Sequence, residues 1–540
     1  MGFLNKKSDK TEAGEQPRPT LEQITHTHSV SDADEQHVTV LAVASGLTAS
    51  LGGLVFGYCS GEISGFFGMK DYGARFGEFR PDGTVYWSPA RQGTIVGLLS
   101  IGSLIGALTS GKLADAFGRR LTISMAAFFA CIGTIIEISS SRHWVQFAIG
   151  RLVTGLSVGS FSIAVPIYQS ECAPANIRSV IASSWQLLIT FGILLAEIVN
   201  YGTEKIDSSA SWRITDGLTF AWSLVLGVAI LFFPESPRYA YGRGRHDEAR
   251  RTIARLVGMP ENSPIVQHQI EDIQAKLDEE AAQSSEFHLS EIFTAPRMAY
   301  RTILACVLAA GQQLTGVNYF FYYGVDIFKS TGISNSYITQ LILGAVNFVA
   351  TCFSLFFVQK IGRRKMLIGG AAWMCMCFFV FSFVGHFQLD RANPAATPGP
   401  GKVMIAFACL AIVAFAISWG PLVWAYNAEI FPLRYKGSAL AIATAFNWIF
   451  NFLLSFFTRF ITDAIDYYYG LVFAVCCGAL VFIVFFFVIE TKDRTLEEID
   501  TMYIRHVNPI KSASWSSAGY RKEAPRDSIA GTSVAADDRT

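Results

Sequence analysis

Twelve predominantly apolar stretches follow one another between residues 41 and 489, most of them separated by short polar loops. A hydrocarbon layer about 30 Å thick takes about 20 residues of helix to cross. The stretches therefore predict membrane-crossing helices at 41–63, 92–111, 121–140, 145–167, 179–200, 216–233, 300–324, 337–358, 367–387, 403–427, 438–460 and 469–489. One long polar interval, 234–299, divides them six and six. Inside it, His246–Leu256 and Pro264–Ala282 place apolar residues three and four apart among charged ones, which predicts two short amphipathic helices. The expected organisation is an N-terminal tail (1–40), a six-helix bundle (41–233), a linker with short helices (234–299), a second six-helix bundle (300–489) and a tail (490–540). Residues 505–540, rich in Ser, Ala, Arg and Asp, are expected to be disordered. The fold class is thus an all-α membrane protein of twelve helices in two pseudo-symmetric bundles.

The pseudo-symmetry is written in short motifs. Gly118-Arg119-Arg120 returns as Gly362-Arg363-Arg364, 244 residues later. Glu171, followed by Ala173-Pro174 and Arg178, answers to Glu429 with Phe431-Pro432, Arg434 and Lys436, 258 residues on, and Glu235 answers to Glu490 at 255. A membrane chain built from two parallel halves is expected to hold a site between them near the midplane, which is the layout of a transporter.

Composition agrees with lipid as the solvent: 51% of residues are hydrophobic and only 16% are charged, against about 25% charged in soluble domains. The net charge of zero gives no footing for nucleic acid. Lys and Arg gather in the loops after the even-numbered helices, among them Lys112, Arg119, Arg120, Arg178, Lys360, Arg363, Arg364 and Arg434. By the positive-inside rule those loops and both termini face the cytoplasm. The first forty residues lack a short apolar core and a small-residue cleavage site, so no signal peptide is expected. Most of the ten cysteines lie in apolar runs and read as small hydrophobes, not disulfide partners. No nucleophile–base pair, metal cluster or phosphate-cradling loop stands out, so neither an enzyme nor a cofactor is expected, and a monomer is anticipated.

Five motifs in order carry a family resemblance. They are Gly111-Lys-Leu-Ala-Asp115-Ala-Phe-Gly118-Arg119-Arg120; Pro166-x-Tyr168-x-Ser170-Glu171-x-Ala173-Pro174 with Arg178; Pro234-Glu235-Ser236-Pro237-Arg238; Gln312-Gln313-Leu-Thr-Gly316-x-Asn318 with Tyr322-Tyr323; and Gly420-Pro421-x-x-Trp424 ahead of Glu429-Ile430-Phe431-Pro432. Over about residues 45–500 the chain resembles the sugar porters of the major facilitator superfamily, with a layout similar to the fungal hexose (monosaccharide) transporters. The resemblance implies the major facilitator fold, alternating access and a monosaccharide substrate at the plasma membrane. It marks Gln186, Gln312, Gln313, Asn318, Asn347 and Trp424 as sugar contacts and Tyr322 and Tyr323 as an extracellular gate. It also implies a cytoplasmic latch in which Arg119, Arg120, Glu171, Arg178 and Glu235 face Arg363, Arg364, Glu429, Arg434 and Glu490, holding the outward-open state.

The residue types fit a sugar on chemical grounds. Amide side chains donate and accept at once, as a ring of hydroxyls demands, and an aromatic plate covers an apolar sugar face. A fixed charge would lose hydration that a neutral ligand cannot replace. Asn447, beside Trp448, joins the candidates and equally suits an interhelix hydrogen bond; Asn451 and Asn200 read as interhelix bonds alone.

One departure bears on mechanism. Proton-coupled sugar porters carry an aspartate where this chain reads Phe56-Gly57-Tyr58-Cys59, so Arg151, the aspartate's usual partner, loses it. A thiol, with an ordinary pKa of about 8.5, is a poor proton carrier in acid surroundings, which favours facilitated diffusion. Glu62 lies three residues on, roughly on the same helix face, and offers either a replacement carboxylate for proton symport or a vestibule residue in water. Two smaller departures are Gln359, where the family usually has an acid, and Ile489-Glu490-Thr491 in place of the family's usual Pro and Gly. A sugar sensor that binds without useful flux is the alternative from another class.

Overall fold

Glycine and backbone carbonyls, more than leucine, set how closely these helices pack. The computed structural model of the protein describes residues 38–174, 176–284, 290–329, 335–390 and 398–515; the expected N-terminal tail to residue 37 and the last 25 residues lie outside them. The first half holds α1 (Val40–Phe66), a short α2 (Lys70–Phe76) and a two-stranded ribbon, β1 (Glu78–Phe79) with β2 (Val85–Tyr86). Then come α3 (Pro89–Phe117), α4 (Arg119–Ser139), α5 (Trp144–Cys172), α6 (Arg178–Thr203) and α7 (Ala210–Ala229). Helix α3 lies so close on α5 that a Cβ at Gly102 would sit 2.0 Å from the Leu152 carbonyl oxygen, and one at Gly155 2.2 Å from that of Leu99. Small-residue contacts of this kind are how helices associate where lipid removes the hydrophobic drive.

The linker carries α8 (Pro237–Gly242), α9 (His246–Val257), α10 (Pro264–Ser284) and α11 (Glu291–Thr294). The two predicted amphipathic helices are α9 and α10, and they bury Ala249, Ile253 and Val257 against Ile265, Val266 and Ile270. The second half follows with α12 (Met298–Leu314), α13 (Val317–Lys329), α14 (Ser336–Lys360), α15 (Arg363–Phe387), α16 (Pro398–Ile417), α17 (Trp419–Glu429), α18 (Leu433–Ile465) and α19 (Tyr469–Phe487).

Three expectations need correction. The seventh and tenth crossings, expected as the continuous helices 300–324 and 403–427, are each broken. Gly316, at φ +79°, turns the chain between α12 and α13, and Ser418 interrupts α16 and α17 at φ −118°, ψ −81°. A left-handed φ suits glycine because it has no Cβ. The helices also overrun the predicted spans: α3 extends over 29 residues where 92–111 was expected, from Pro89 at its first turn to Gly118 at φ +97°, since lipid sets only a minimum length. Finally, the described part of the expected disordered tail, 505–515, is folded, while 516–540 lie outside the described residues. After α20 (Leu496–Ile504), which starts in a Thr495/Glu498 capping box, the chain makes a short helical turn at Pro509–Ser514, and Arg494 Nη2 donates to the carbonyls of Ser512 at 2.7 Å and Trp515 at 2.9 Å.

Among the described residues, eleven helical stretches are long and apolar enough to cross a membrane. The last, Arg434–Phe487, folds back at Asp466 (φ +51°) into α18 and α19, which makes twelve crossings in two six-helix bundles. Phe128, Phe232, Phe356, Val475 and Phe482 stand exposed on the outside, an apolar belt that only lipid covers. The halves meet where α3 packs on α18, α6 on α14 and α1 on α13.

Candidate functional site

The two broken crossings converge on a web of amides. Gln312 and Gln313 end α12, and the turn at Gly316 swings Asn318 back so that its Nδ2 donates to Gln313 Oε1 at 2.7 Å. Gln312 Nε2 donates to the carbonyls of Trp419 (2.9 Å) and Gly420 (3.0 Å), just past the break in the tenth crossing. From α18, Asn447 donates to Gln312 Oε1 at 2.8 Å and to the Ala309 carbonyl at 2.9 Å, and accepts from Gln313 Nε2 at 3.0 Å. Asn451, one turn further on, donates to Gln313 Oε1 at 3.0 Å. Ser100 of α3 donates to Asn451 Oδ1 at 2.6 Å and so ties the first half to the web. Buried amides satisfied by one another in this way hold a defined geometry without fixed charge.

Among the sequence candidates, Gln312, Gln313, Asn318 and Asn447 are brought together. Gln186 on α6, Asn347 on α14 and Trp424 on α17 stand outside the web; Asn347 is buried, Gln186 half-buried and Trp424 39% exposed. Tyr322 is buried and bonds to Asn451 at 3.2 Å, and Tyr323 is buried with its hydroxyl on the Ser455 carbonyl. Asn451, read from sequence as interhelix glue, and Ser100, not singled out at all, are both members of the web. Asn451 lies four residues after Asn447, and that spacing was the available signal. Beside the web, Phe56 packs between Trp185 (ring centroids 6.4 Å) and Trp448 (5.7 Å), across the boundary between halves.

The polar core of the first half is of another kind. Glu62 and Arg151 are fully buried and paired at 2.8 Å, and Thr219 donates to the other Glu62 oxygen at 3.2 Å. Arg151 Nη2 also donates to the carbonyl of Cys59 at 2.8 Å. The position of the expected aspartate thus supplies only backbone, while the carboxylate comes from one helical turn on. Sequence reading missed two further acids here. Glu137 lies 4.0 Å from Arg151 and accepts from Thr154 at 2.6 Å, and Asp216 completes a buried trio of carboxyls within 4.8 Å of one another. Asn200 donates to the Glu62 carbonyl at 2.9 Å, an interhelix bond as expected.

At the Gly-Arg-Arg ends the two halves repeat one construction, and the latch residues expected to face one another across the halves pair within each half among the described residues. Arg119 Nε pairs with Glu171 at 2.9 Å, and Glu235 Oε1 accepts from the backbone N–H groups of Arg119 (3.0 Å) and Arg120 (3.2 Å) at the start of α4. Arg363 pairs with Glu429 at 3.2 Å, and Glu490 accepts from the Arg363 N–H at 2.8 Å at the start of α15. A carboxylate on the free N–H groups of a helix start caps it and meets the positive end of its dipole. A hydroxyl completes each copy: Ser236 donates to Glu171, and Thr491 donates to Glu429 at 2.6 Å. The Ile-Glu-Thr departure therefore leaves the pattern intact. Arg120 and Arg364 donate to the carbonyls of Phe233 (3.0 Å) and Phe485 (2.7 Å). Arg178 bonds the Ala173 carbonyl at 3.3 Å, and Arg434 bonds Glu291 of the linker at 2.9 Å.

The family described as sugar (and other) transporter matches residues 46–503. The chain belongs to the sugar porters of the major facilitator superfamily. Hexose transporter 2 of Kluyveromyces lactis is 44% identical over 488 residues, covering 88% of this chain and 86% of that protein. Low-affinity glucose transporter HXT1 of Saccharomyces cerevisiae is 43% identical over 469 residues, 86% and 82% of the two chains. Among solved structures, the inward-open xylose transporter XylE from E. coli superposes with TM-score 0.70 at 25% identity, over 85% of this chain and 99% of that one. The proton:xylose symporter XylE bound to 6-bromo-6-deoxy-D-glucose gives 0.71 at 26%, over 86% and 100%. The protein is a multi-pass membrane sugar transporter, not an enzyme.

Proposed function

We propose that this protein carries a hexose, glucose foremost, across the plasma membrane by alternating access and facilitated diffusion. The observation that carries the proposal is the uncharged web of Gln312, Gln313, Asn318 and Asn447, whose amides can trade their mutual hydrogen bonds for sugar hydroxyls. Gln186, Asn347 and Trp424 complete the sugar contacts from neighbouring helices. The related hexose and low-affinity glucose transporters support that substrate. In this reading the Gly-Arg-Arg ends and both termini are cytoplasmic, and Arg119, Arg363 and their glutamates stiffen the ends that move. The outer gate is the opposite end, where Ser64 accepts from the Val325 N–H at 3.1 Å, Tyr337 donates to the Gly65 carbonyl at 2.7 Å and Gln92 to Asp326 at 2.9 Å. Tyr322 and Tyr323 lie on the gate helix α13.

Cys59, which offers a thiol where an acid would carry the proton, supports facilitated diffusion, and Arg151 meets only its backbone carbonyl there. One observation favours proton symport as a second reading: Glu62 is buried on Arg151 and not in a vestibule. Labelled glucose uptake by yeast lacking its own hexose carriers, with and without a protonophore and with Glu62→Gln alongside, separates them. Uptake that survives both treatments is the expected result; loss in both assigns proton coupling to Glu62. No uptake from protein verified at the cell surface overturns the glucose-carrier reading.

A further inference from the structure

Where α6 of the first half crosses α14 of the second, the boundary buries a carboxyl that no cation among the described residues meets. Glu197 is 2% exposed. Its Oε1 accepts from Gln340 Nε2 at 3.3 Å, a donor shared with the Phe320 carbonyl at 3.2 Å, and its Oε2 has no hydrogen-bond partner. The Gln340 Oε1 is likewise without a partner. The fit is specific: a Cβ at Gly344 would lie 1.6 Å from Glu197 Oε2, and one at Gly324 1.9 Å from Gln340 Oε1. The helices packed on α6 are α1, α5, α7 and α14, and their ionisable groups are engaged elsewhere or lack contact with Glu197. Glu62 and Arg151 pair with each other, Arg213 bonds the Ser140 carbonyl at 3.1 Å, Asp216 lies beside Glu137, and Tyr337 bonds Gly65. Tyr168 bonds the Pro234 carbonyl, Glu171 pairs with Arg119, and Tyr58, Cys59, Cys172, Cys352 and Lys360 form no bond or ion pair with Glu197 among the described residues.

A buried ionised carboxylate with one neutral donor loses hydration that nothing around it replaces, a cost that a bound proton removes. Glu197 lies seven residues, about 10 Å of helix, before Glu204, which bonds Asn335 across the same boundary at 2.8 Å. Parting of the halves at this end exposes both. We infer that Glu197, seated against Gln340 and Gly344, is a proton-binding site of the outer gate: its carboxyl carries a proton while α6 and α14 are closed together and releases it to the outer solution when they separate. The step balances as one carboxyl O–H broken on opening and reformed on closing. Since the proton leaves and returns on one side, none travels with the sugar. The inference rests on the proposed orientation and hexose transport.

The sign is opposite to that of symport. Outer acid holds the gate closed, so initial rates of hexose uptake should fall as outer pH falls, by up to tenfold per pH unit, whereas coupling through Glu62 would raise them. In Glu197→Gln the neutral amide stands in for the protonated acid and the profile should be flat. A flat wild-type profile, or an unchanged one in Glu197→Gln, overturns the inference. If that variant fails to reach the membrane, Glu197→Asp replaces it, and an unmoved midpoint is the overturning result. Absence of uptake in every protein would sink the hexose reading instead. The proton is then read in purified protein by the infrared carbonyl stretch of a protonated carboxyl, which must weaken in Glu197→Gln; equal bands overturn the proposal.

Discussion

The two halves end alike and differ in the middle. At their Gly-Arg-Arg ends, Glu235 and Glu490 cap the starts of α4 and α15, while Glu171 and Glu429 each receive an arginine and a hydroxyl. In their polar centres, the first half buries three carboxyls around one guanidinium, and the second gathers amides into a web with no charged member among the described residues. The difference teaches a division of labour. A helix start needs the same partners wherever it occurs, so the motif repeats. A neutral polyol cannot compensate a fixed charge, which is the reason for proposing its site in the half whose centre is uncharged.

The comparison breaks most severely at Arg151. Arg151→Ala leaves Glu62, Glu137 and Asp216 buried without their cation and should cost about 3–5 kcal/mol; thermal unfolding in detergent measures it, and a change below about 1 kcal/mol would make the pair dispensable. Gln313→Ala acts on the other centre. It removes donors and acceptors shared by Asn318, Asn447 and Asn451, and should cut hexose uptake roughly tenfold or more, since each hydrogen bond is worth about 0.5–1.5 kcal/mol. Equal uptake at equal surface expression would remove the web from the sugar path. Ser100→Ala is the mildest test. It deletes the bond to Asn451 across the boundary and should lower stability by about 1 kcal/mol, with uptake altered less than in Gln313→Ala; the reverse ranking would place the sugar's main contact in the first half.

Much of this was legible from local pattern. The twelve crossings follow from apolar length, the two linker helices from periodicity, and Gln312, Gln313 and Asn318 from the motif around them. Asn451 was not, because a lone asparagine in an apolar run looks the same whether it bridges two helices or joins a web; Ser100, small and unremarkable in sequence, was invisible for the same reason. Glu137 and Asp216 fell near the predicted helix ends, where a charge ordinarily finds water, and only the packing of α4, α5 and α7 shows that they turn inward. The tail past residue 505 reads as polar and loose, yet Arg494 and Ser512 pin it as far as Trp515.

By itself the sequence determined what depends on spacing along the chain: how many helices cross the bilayer, where the chain divides, and which residue types recur at equal offsets. These are set by hydrocarbon thickness and helical rise, which act locally. Only the tertiary structure decided which polar groups meet. It moved the role of Arg151's partner from Cys59 to Glu62, opened two crossings so that Gln312 could reach the carbonyls of Trp419 and Gly420, and set Glu197 against Gln340 from the other half. A buried polar group must find a partner within about 3 Å, and which groups come that close depends on how helices distant in sequence are packed.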